Sequence, residues 1–98
     1  MAGGRISKQT IEAIQSSDIV SIVNDYTQLE KRGNAWWGCC PFHHEKTPSF
    51  HIEEGKNLYY CFGCHAGGDI IKFYMAMEKV PYADAITSLA KRLEIEVI

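Results

Sequence analysis

Residues 37–69 read WGCCPFHHEKTPSFHIEEGKNLYYCFGCHAGGD and hold all four cysteines and all four histidines of the 98-residue chain. Two pairs of metal-binding side chains occur there, each with members three residues apart: Cys40 with His43, and Cys61 with Cys64. A tight turn at this spacing points both side chains at one tetrahedral ion, as in zinc sites. The intervening residues 44–60 suffice for a strand out, a turn and a strand back. The stretch therefore predicts a zinc site with three cysteines and one histidine.

Neighbouring residues leave the ligand set open. Cys39 could replace Cys40, and His44 could replace His43, without leaving the range of known spacings. Pro41 favours Cys40, because proline pre-sets one backbone angle of the turn that follows the first ligand. A disulfide between the adjacent cysteines would be strained, so we favour metal binding over a disulfide.

The predicted ligand set indicates a structural metal. Three thiolates and one imidazole fill all four positions of zinc and leave none for the water that a catalytic zinc binds. We interpret the remaining histidines, His51 and His65, as solvated or strand-facing residues. Cys39 is expected to be a small apolar residue that is buried or half-buried.

Length and charge limit the alternatives. The chain is expected to form one domain over 1–98, with residues 1–6 flexible and 94–98 beginning a linker or strand. The net charge of −2 argues against nucleic-acid binding by bulk charge alone, and residues 31–72 carry a net charge of only +1. We expect no membrane partner, because no apolar run approaches the roughly 18 residues of a membrane span. Without a leader and with reduced cysteines, a cytoplasmic location is expected.

Periodicity predicts four helices. Ser7 and Asp69 are N-cap candidates of the first and third helices, Ser16-Ser17-Asp18 form the break and the cap of the second, and Pro81 begins the fourth. Apolar residues recur at helical spacing and are expected to face the core: Ile11 and Ile14; Ile19, Ile22, Val23 and Tyr26; Ile70, Phe73, Tyr74 and Met77; Tyr82, Ala85, Ile86, Leu89 and Leu93.

Between the second and third helices the pattern changes to that of strands. Residues 27–32 and 35–38 form a predicted hairpin, and residues 49–53 and 58–61 form a second. The prediction is an α+β fold in which a small antiparallel zinc-ribbon sheet is flanked by short helices. Alternation sends one residue of each aromatic pair to each face of the sheet: Trp36 or Trp37, and Tyr59 or Tyr60.

The aromatic side chains lie near cations. Aromatic rings with interleaved Arg32, Lys46 and Lys56 are typical of surfaces that bind single-stranded nucleic acid, since bases stack on rings and phosphates meet cations. The alternative is that the rings simply cover a thin sheet. No carboxylate pair, and no serine or cysteine with a base nearby, indicates a catalytic site.

Three segments together carry a family resemblance: residues 38–50 (GCCPFHHEKTPSF), 60–64 (YCFGC) and 67–69 (GGD). They resemble the N-terminal zinc-binding domain of bacterial DnaG-type DNA primase, and the similarity extends over nearly the whole chain. The resemblance implies one structural zinc, held by Cys40, His43, Cys61 and Cys64. One departure is His65, at a position where that family commonly has glycine.

The family makes short RNA primers on single-stranded DNA, and its zinc domain helps to choose the start site. The resemblance implies that nucleotidyl transfer, with its magnesium, belongs to a following domain absent here, so the chain would be enzymatic only within the full-length primase. Implied partners are the template, the primase polymerase domain in cis or in trans, and the replicative helicase through the full-length protein.

DNA contacts follow less directly from the resemblance than the zinc ligands do. We take Arg32, Lys46 and Lys56 as candidate phosphate contacts, and Trp37 and Tyr59 as candidate stacking surfaces. The alternative function is a structural zinc ribbon that docks proteins.

Overall fold

The computed structural model describes residues 6–42, 47–53 and 55–97. In this part of the chain, helices α1 and α2 precede a five-stranded sheet, and helices α3 and α4 follow it. The elements are α1 (Lys8–Gln15), α2 (Ile19–Val23), β1 (Glu30–Arg32), β2 (Ala35–Gly38), β3 (Phe50–Glu53), β4 (Leu58–Cys61), β5 (Gly67–Gly68), α3 (Ile70–Glu78) and α4 (Tyr82–Leu93). The predicted α+β class, with a small antiparallel sheet flanked by short helices, is confirmed.

The strands lie in sequence order, each antiparallel to the next. The first strand is shorter than the predicted 27–32, because two groups of residues 27–29 bond outside the strand ladder. The hydroxyl of Thr27 donates to the Cys39 carbonyl, and the Leu29 N–H donates to Asn24. The fifth strand was not predicted, and its two glycines pair with β4 through the backbone.

The three predicted side-chain caps are confirmed. Ser7, Asp18 and Asp69 each accept a backbone hydrogen bond in the first turn of α1, α2 and α3, respectively. Such a cap contributes about 1 kcal/mol. None of the four helices in the described residues is a candidate membrane span.

One predicted core residue of α4 is wrong. Tyr82 has 46% of its surface exposed, although it lies on the same stripe as Ala85, Ile86 and Leu89. The apolar stripe itself is correct, but the buried residues of α4 begin at Ala85, one turn after the helix starts. The first turn therefore extends beyond the packed core.

The inner face of the sheet packs against α3. Phe50, Ile52 and Tyr59 are at most 3% exposed, and Phe73 of α3 is completely buried. The rings of Phe50 and Tyr59 are stacked with centroids 5.4 Å apart, and Phe73 meets Tyr59 edge-on at the same distance. Removing one such buried phenylalanine side chain typically costs about 3–5 kcal/mol.

Asn57 joins the β3–β4 turn to the break between α1 and α2. Its amide nitrogen donates to the carbonyl oxygens of Gln15 and Ser17 at 2.7 and 2.6 Å, and its Oδ1 accepts from the N–H of Ile19 at 3.1 Å. Its φ of 55° is left-handed, a region that asparagine tolerates better than most residues. One side chain thus fixes the position of the sheet relative to the first two helices.

Candidate metal centre and nucleic-acid interface

Three cysteines from two separate segments meet at one end of the sheet. Cys40 follows β2, Cys61 ends β4, and Cys64 lies in the turn after β4. The turn is closed by the N–H of His65, which donates to the Cys61 carbonyl at 2.8 Å. The three Sγ atoms lie within 4.8 Å of one another, and those of Cys40 and Cys64 are 3.8 Å apart.

This arrangement fits zinc. A tetrahedral ion with Zn–S bonds of about 2.3 Å places neighbouring sulfur ligands about 3.8 Å apart, and thiolates are preferred zinc ligands. Cys40, Cys61 and Cys64 would therefore hold the ion and tie β2 to β4, which is a structural role. The predicted fourth ligand His43 and its alternative His44 lie outside the described residues, so that both stay predictions.

The electrostatics of the cluster favour a bound cation. Burial raises the pKa of Cys40 to about 12, and hydrogen bonds with Cys61 and Cys64 add to the increase. For Cys61, burial also acts to raise the pKa, but hydrogen bonds from the Ser49 hydroxyl and from the N–H groups of Cys64 and Gly63 outweigh it. The pKa of Cys61 is lowered to about 7. A divalent ion supplies the positive charge with which all three sulfurs can ionise.

Cys39 occupies a different environment from Cys40. It is half-buried, and it is not a member of the sulfur cluster found among the described residues. Its carbonyl accepts a hydrogen bond from the Thr27 hydroxyl at 2.8 Å. Cys40, in contrast, is only 1% exposed.

The outer face of the sheet carries a row of aromatic rings. Strand register places Trp37 opposite His51 and His51 opposite Tyr60. The Trp37 ring stacks on His51 with centroids 4.8 Å apart, and the Phe62 ring stacks on His51 at 5.0 Å. Tyr60 meets Phe62 edge-on at 5.2 Å. We call these four residues, Trp37, His51, Tyr60 and Phe62, the outer aromatic row.

The prediction that Tyr59 offers a stacking surface is wrong. Tyr59 is 3% exposed and lies on the inner face, where burial raises its pKa to about 12. Its neighbour Tyr60 takes the outer position. Alternation indicated that Tyr59 shares the face of Cys61, which lies two residues further along the chain, but the burial of that face is a property of the packed structure.

The predicted phosphate contacts differ in their surroundings. Arg32 is exposed and lines a hollow of about 400 Å³ together with Trp37, with its Nε 3.6 Å from Glu30. Lys56 is exposed but forms an ion pair with Glu53 at 2.8 Å. Hydrogen bonding within this pair raises the pKa of Lys56 and lowers that of Glu53. The third, Lys46, lies outside the described residues.

Three further residues of this surface were not predicted as site residues. Phe62 is 56% exposed within the turn between two zinc-ligand candidates. His51 is half-buried, and its Nδ1 is buried without a hydrogen-bond partner in the described part of the chain. His65 is exposed, and its Nδ1 shares a hydrogen bond with the Tyr60 hydroxyl at 2.8 Å. Strand alternation could have placed His51 on the outer face, because its neighbours Phe50 and Ile52 are apolar and point to the core.

Comparison with known proteins gives consistent matches over this chain. The profile of the CHC2 zinc finger family matches residues 6–98. The DNA primase of Treponema pallidum is 56% identical over 93 residues, which cover 94% of this chain and 15% of that protein. The DNA primase of Geobacillus stearothermophilus is 43% identical over 95 residues, or 96% of this chain and 16% of that protein.

The fold matches a solved structure as well. The crystal structure of the zinc binding and RNA polymerase domains of the Aquifex aeolicus primase superposes with a TM-score of 0.82 and 39% sequence identity. The match covers 95% of this chain and 23% of that one. The chain thus spans only a small part of the length of the proteins that it resembles.

Proposed function

Since the chain belongs to the CHC2 zinc finger family, we propose that it is the zinc-binding, template-recognition module of a DNA primase. That primase would synthesise short RNA primers on single-stranded DNA for replication. Within the module, one structural zinc would be held by Cys40, His43, Cys61 and Cys64. Nucleotidyl transfer, with magnesium, would belong to the polymerase domain of the full-length enzyme.

The observation that carries the proposal is the outer aromatic row. Four rings lie on a face that the helices do not cover, and Phe62 is 56% exposed although its burial would be favourable. Stacking of an unpaired base on such a ring contributes about 1–3 kcal/mol and tolerates any base. Arg32 borders the row through Trp37, so a phosphate of the same strand has a cation within reach.

Charge limits the strength of this binding. Arg32 and Lys56 are both partly neutralised, by Glu30 and Glu53, and the chain as a whole is slightly acidic. Two or three phosphate contacts on a single strand give a slope of log K against log salt of about −1.4 to −2.1. We therefore expect modest affinity, with most of the energy from stacking and a shallow dependence on salt.

Within the whole enzyme, the module would hold the template while the polymerase domain, in cis or in trans, makes the primer. The full-length protein would bind the replicative helicase, and it would do so in the cytoplasm. The alternative function is protein docking by the same zinc ribbon, for which exposed Phe62 would serve equally well as an apolar contact.

A binding measurement separates these functions. Fluorescence anisotropy of a labelled oligo-dT with the zinc-loaded chain should show binding that weakens with salt, and Trp37→Ala should reduce the affinity about fivefold or more. Tyr82→Ala is the matched control, because Tyr82 is an exposed aromatic residue of α4 rather than of the sheet. Equal effects of the two substitutions, or no salt-sensitive binding at all, would favour docking.

An activity measurement tests the role in priming. A primase that lacks its zinc domain is assayed on a single-stranded template with and without the zinc-loaded chain. Restored initiation at particular start sites is the expected result. If the folded, zinc-loaded chain restores nothing while the same chain fused to that primase does, action in trans is excluded and action in cis is retained.

A further inference from the structure

A second hollow lies at the edge of the sheet, beside β5. It has a volume of about 460 Å³ and is lined by Phe42, Tyr60, His65 and Lys72, among others. Sites of 300–1,000 Å³ accept small molecules or parts of larger ones. The hollow adjoins the outer aromatic row, because Tyr60 belongs to both.

The two glycines of β5 allow Tyr60 and Lys72 to lie against the edge strand. A Cβ on Gly67 would lie 3.0 Å from Cδ1 of Tyr60, and a Cβ on Gly68 would lie 2.5 Å from Cδ of Lys72. The Tyr60 ring and the alkyl chain of Lys72 therefore lie directly against the edge strand. A ring and an ammonium group are thereby brought to the same small site.

The charge of the hollow suits an anion. Lys72 is the one formally charged residue of its described lining, and it forms no ion pair with a described residue. The neighbouring hollow, of about 450 Å³, also includes Tyr60, but its lining contains the ion pair of Glu53 and Lys56. A phosphate would be repelled by Glu53 in that neighbouring hollow, whereas Lys72 would attract it in the hollow beside β5.

His65 lies at this site in a fixed orientation. The hydrogen bond between its Nδ1 and the Tyr60 hydroxyl holds the imidazole, and the exposed side chain offers Nε2 to a ligand. Its φ of 63° is left-handed, a conformation in which a non-glycine residue is strained. Glycine would adopt this φ without strain, so a histidine at this position has a conformational cost.

We propose that this hollow binds one unpaired nucleotide of the template strand and that His65 reads its base. The base lies against Tyr60, its phosphate meets Lys72, and Nε2 of His65 hydrogen-bonds to the base edge. This inference rests on the proposed function and adds a source of base preference to it. Stacking on the outer aromatic row would give affinity, and the Tyr60–His65 pair would give selectivity.

The test compares homopolymers of dA, dC and dT, each bound to the zinc-loaded chain at low salt. We expect the affinities for the most tightly and the most weakly bound homopolymer to differ by about fivefold or more. His65→Gly should reduce that ratio of affinities to about twofold or less. Tyr60→Phe keeps the ring but releases the imidazole, so it should reduce the ratio in the same direction. Bound zinc and circular dichroism verify that each variant is folded.

A second arm tests the phosphate contact. Lys72→Gln should weaken binding to all three homopolymers alike, about threefold, and lower the salt slope by about 0.7. Lys91→Gln is the matched control, since Lys91 is an exposed lysine of α4 and should change neither quantity.

The outcomes separate the two proposals. If DNA binding depends on Trp37 while His65→Gly leaves the base preference unchanged, the nucleotide site is overturned and the proposed function stands. If the chain binds no single-stranded DNA, the proposed function fails and the inference fails with it. If ATP binds in a Lys72-dependent manner without displacing DNA, the hollow belongs to a free nucleoside triphosphate, which also overturns the template assignment.

Discussion

The two faces of the sheet are made of similar residues but differ in what covers them. The inner face presents Phe50, Ile52 and Tyr59 to α3, and each is at most 3% exposed. The outer face presents Trp37, His51 and Tyr60, which are half-buried, and Phe62 stacks on His51 while remaining 56% exposed. Aromatic residues thus stabilise the fold on one face and remain available to a ligand on the other.

This difference assigns separate roles to residues of one type. On the inner face a substitution leaves a cavity, and the cost appears as lost stability. On the outer face a substitution removes a surface that solvent already contacts, so its effect should appear chiefly in binding. The cluster of three cysteines lies where the two faces meet, because Cys40 and Cys61 are core residues while Cys64 is exposed.

Removal of zinc should have the largest effect, because the ion joins strands that contribute to both faces. Structural zinc contributes on the order of 10 kcal/mol in small domains, so chelation or Cys61→Ser should abolish cooperative thermal unfolding followed by circular dichroism. The pKa of Cys61 in the metal-free chain, about 7, sets the direction with pH. Zinc binds the thiolate, so below that pH protons compete with the ion for this sulfur, and the zinc affinity measured against a chelator should fall as the pH decreases. Intact cooperative unfolding after verified zinc loss would contradict a structural role.

A matched pair of phenylalanines tests the comparison of the two faces directly. Phe73→Ala removes a fully buried ring and should cost about 3–5 kcal/mol in the free energy of unfolding. Phe62→Ala removes an exposed ring and should cost less than about 1 kcal/mol while weakening DNA binding. Denaturant unfolding and anisotropy measure the two effects. If Phe73→Ala prevents folding, Phe73→Leu provides a milder comparison, and equal costs at both positions would show that the outer face is part of the core.

Asn57 should have an intermediate effect, since it connects the sheet to the helices without being a core residue. Asn57→Ala removes its three hydrogen bonds and places alanine at a left-handed φ, for an expected cost of about 2–3 kcal/mol. Asn57→Gly keeps the backbone conformation accessible and isolates the contribution of the side chain. Asn34→Ala, in the exposed β1–β2 turn, is the control and should cost less than about 0.5 kcal/mol. A cost for Asn57→Ala as small as that of Asn34→Ala would mean that this connection is dispensable.

The sequence predicted what depends on local pattern. Caps at Ser7, Asp18 and Asp69 follow from side-chain chemistry next to an apolar stripe, and they are present. The sequence could not predict β5, because two glycines have no strand propensity and pair here through their backbone alone.

Predictions that depend on tertiary context were less accurate. Alternation placed Tyr59 and Tyr60 on opposite faces, but which face is buried depends on the packing of α3 against the sheet. Phe62 lies in the turn after β4 and Lys72 lies in α3, so strand alternation says nothing about either residue. Only the three-dimensional structure shows that they lie near the candidate site. The ion pair that partly neutralises Lys56 likewise depends on the conformation of the β3–β4 turn.

The smallest expected effect concerns that ion pair on the outer face. Glu53→Gln removes the carboxylate that binds Lys56 at 2.8 Å, which frees the lysine for a phosphate and removes a charge that repels DNA. Because an exposed pair contributes little, the affinity for oligo-dT should increase only about two- to threefold at low salt, and the gain should disappear as salt screens the charges. Glu96→Gln is the control, being an exposed acidic residue beyond α4. The gain in affinity should be smaller in the double variant that also carries Lys56→Gln. If the double variant gains as much affinity as Glu53→Gln alone, the gain comes only from the lost repulsion, and Lys56 is not a phosphate contact.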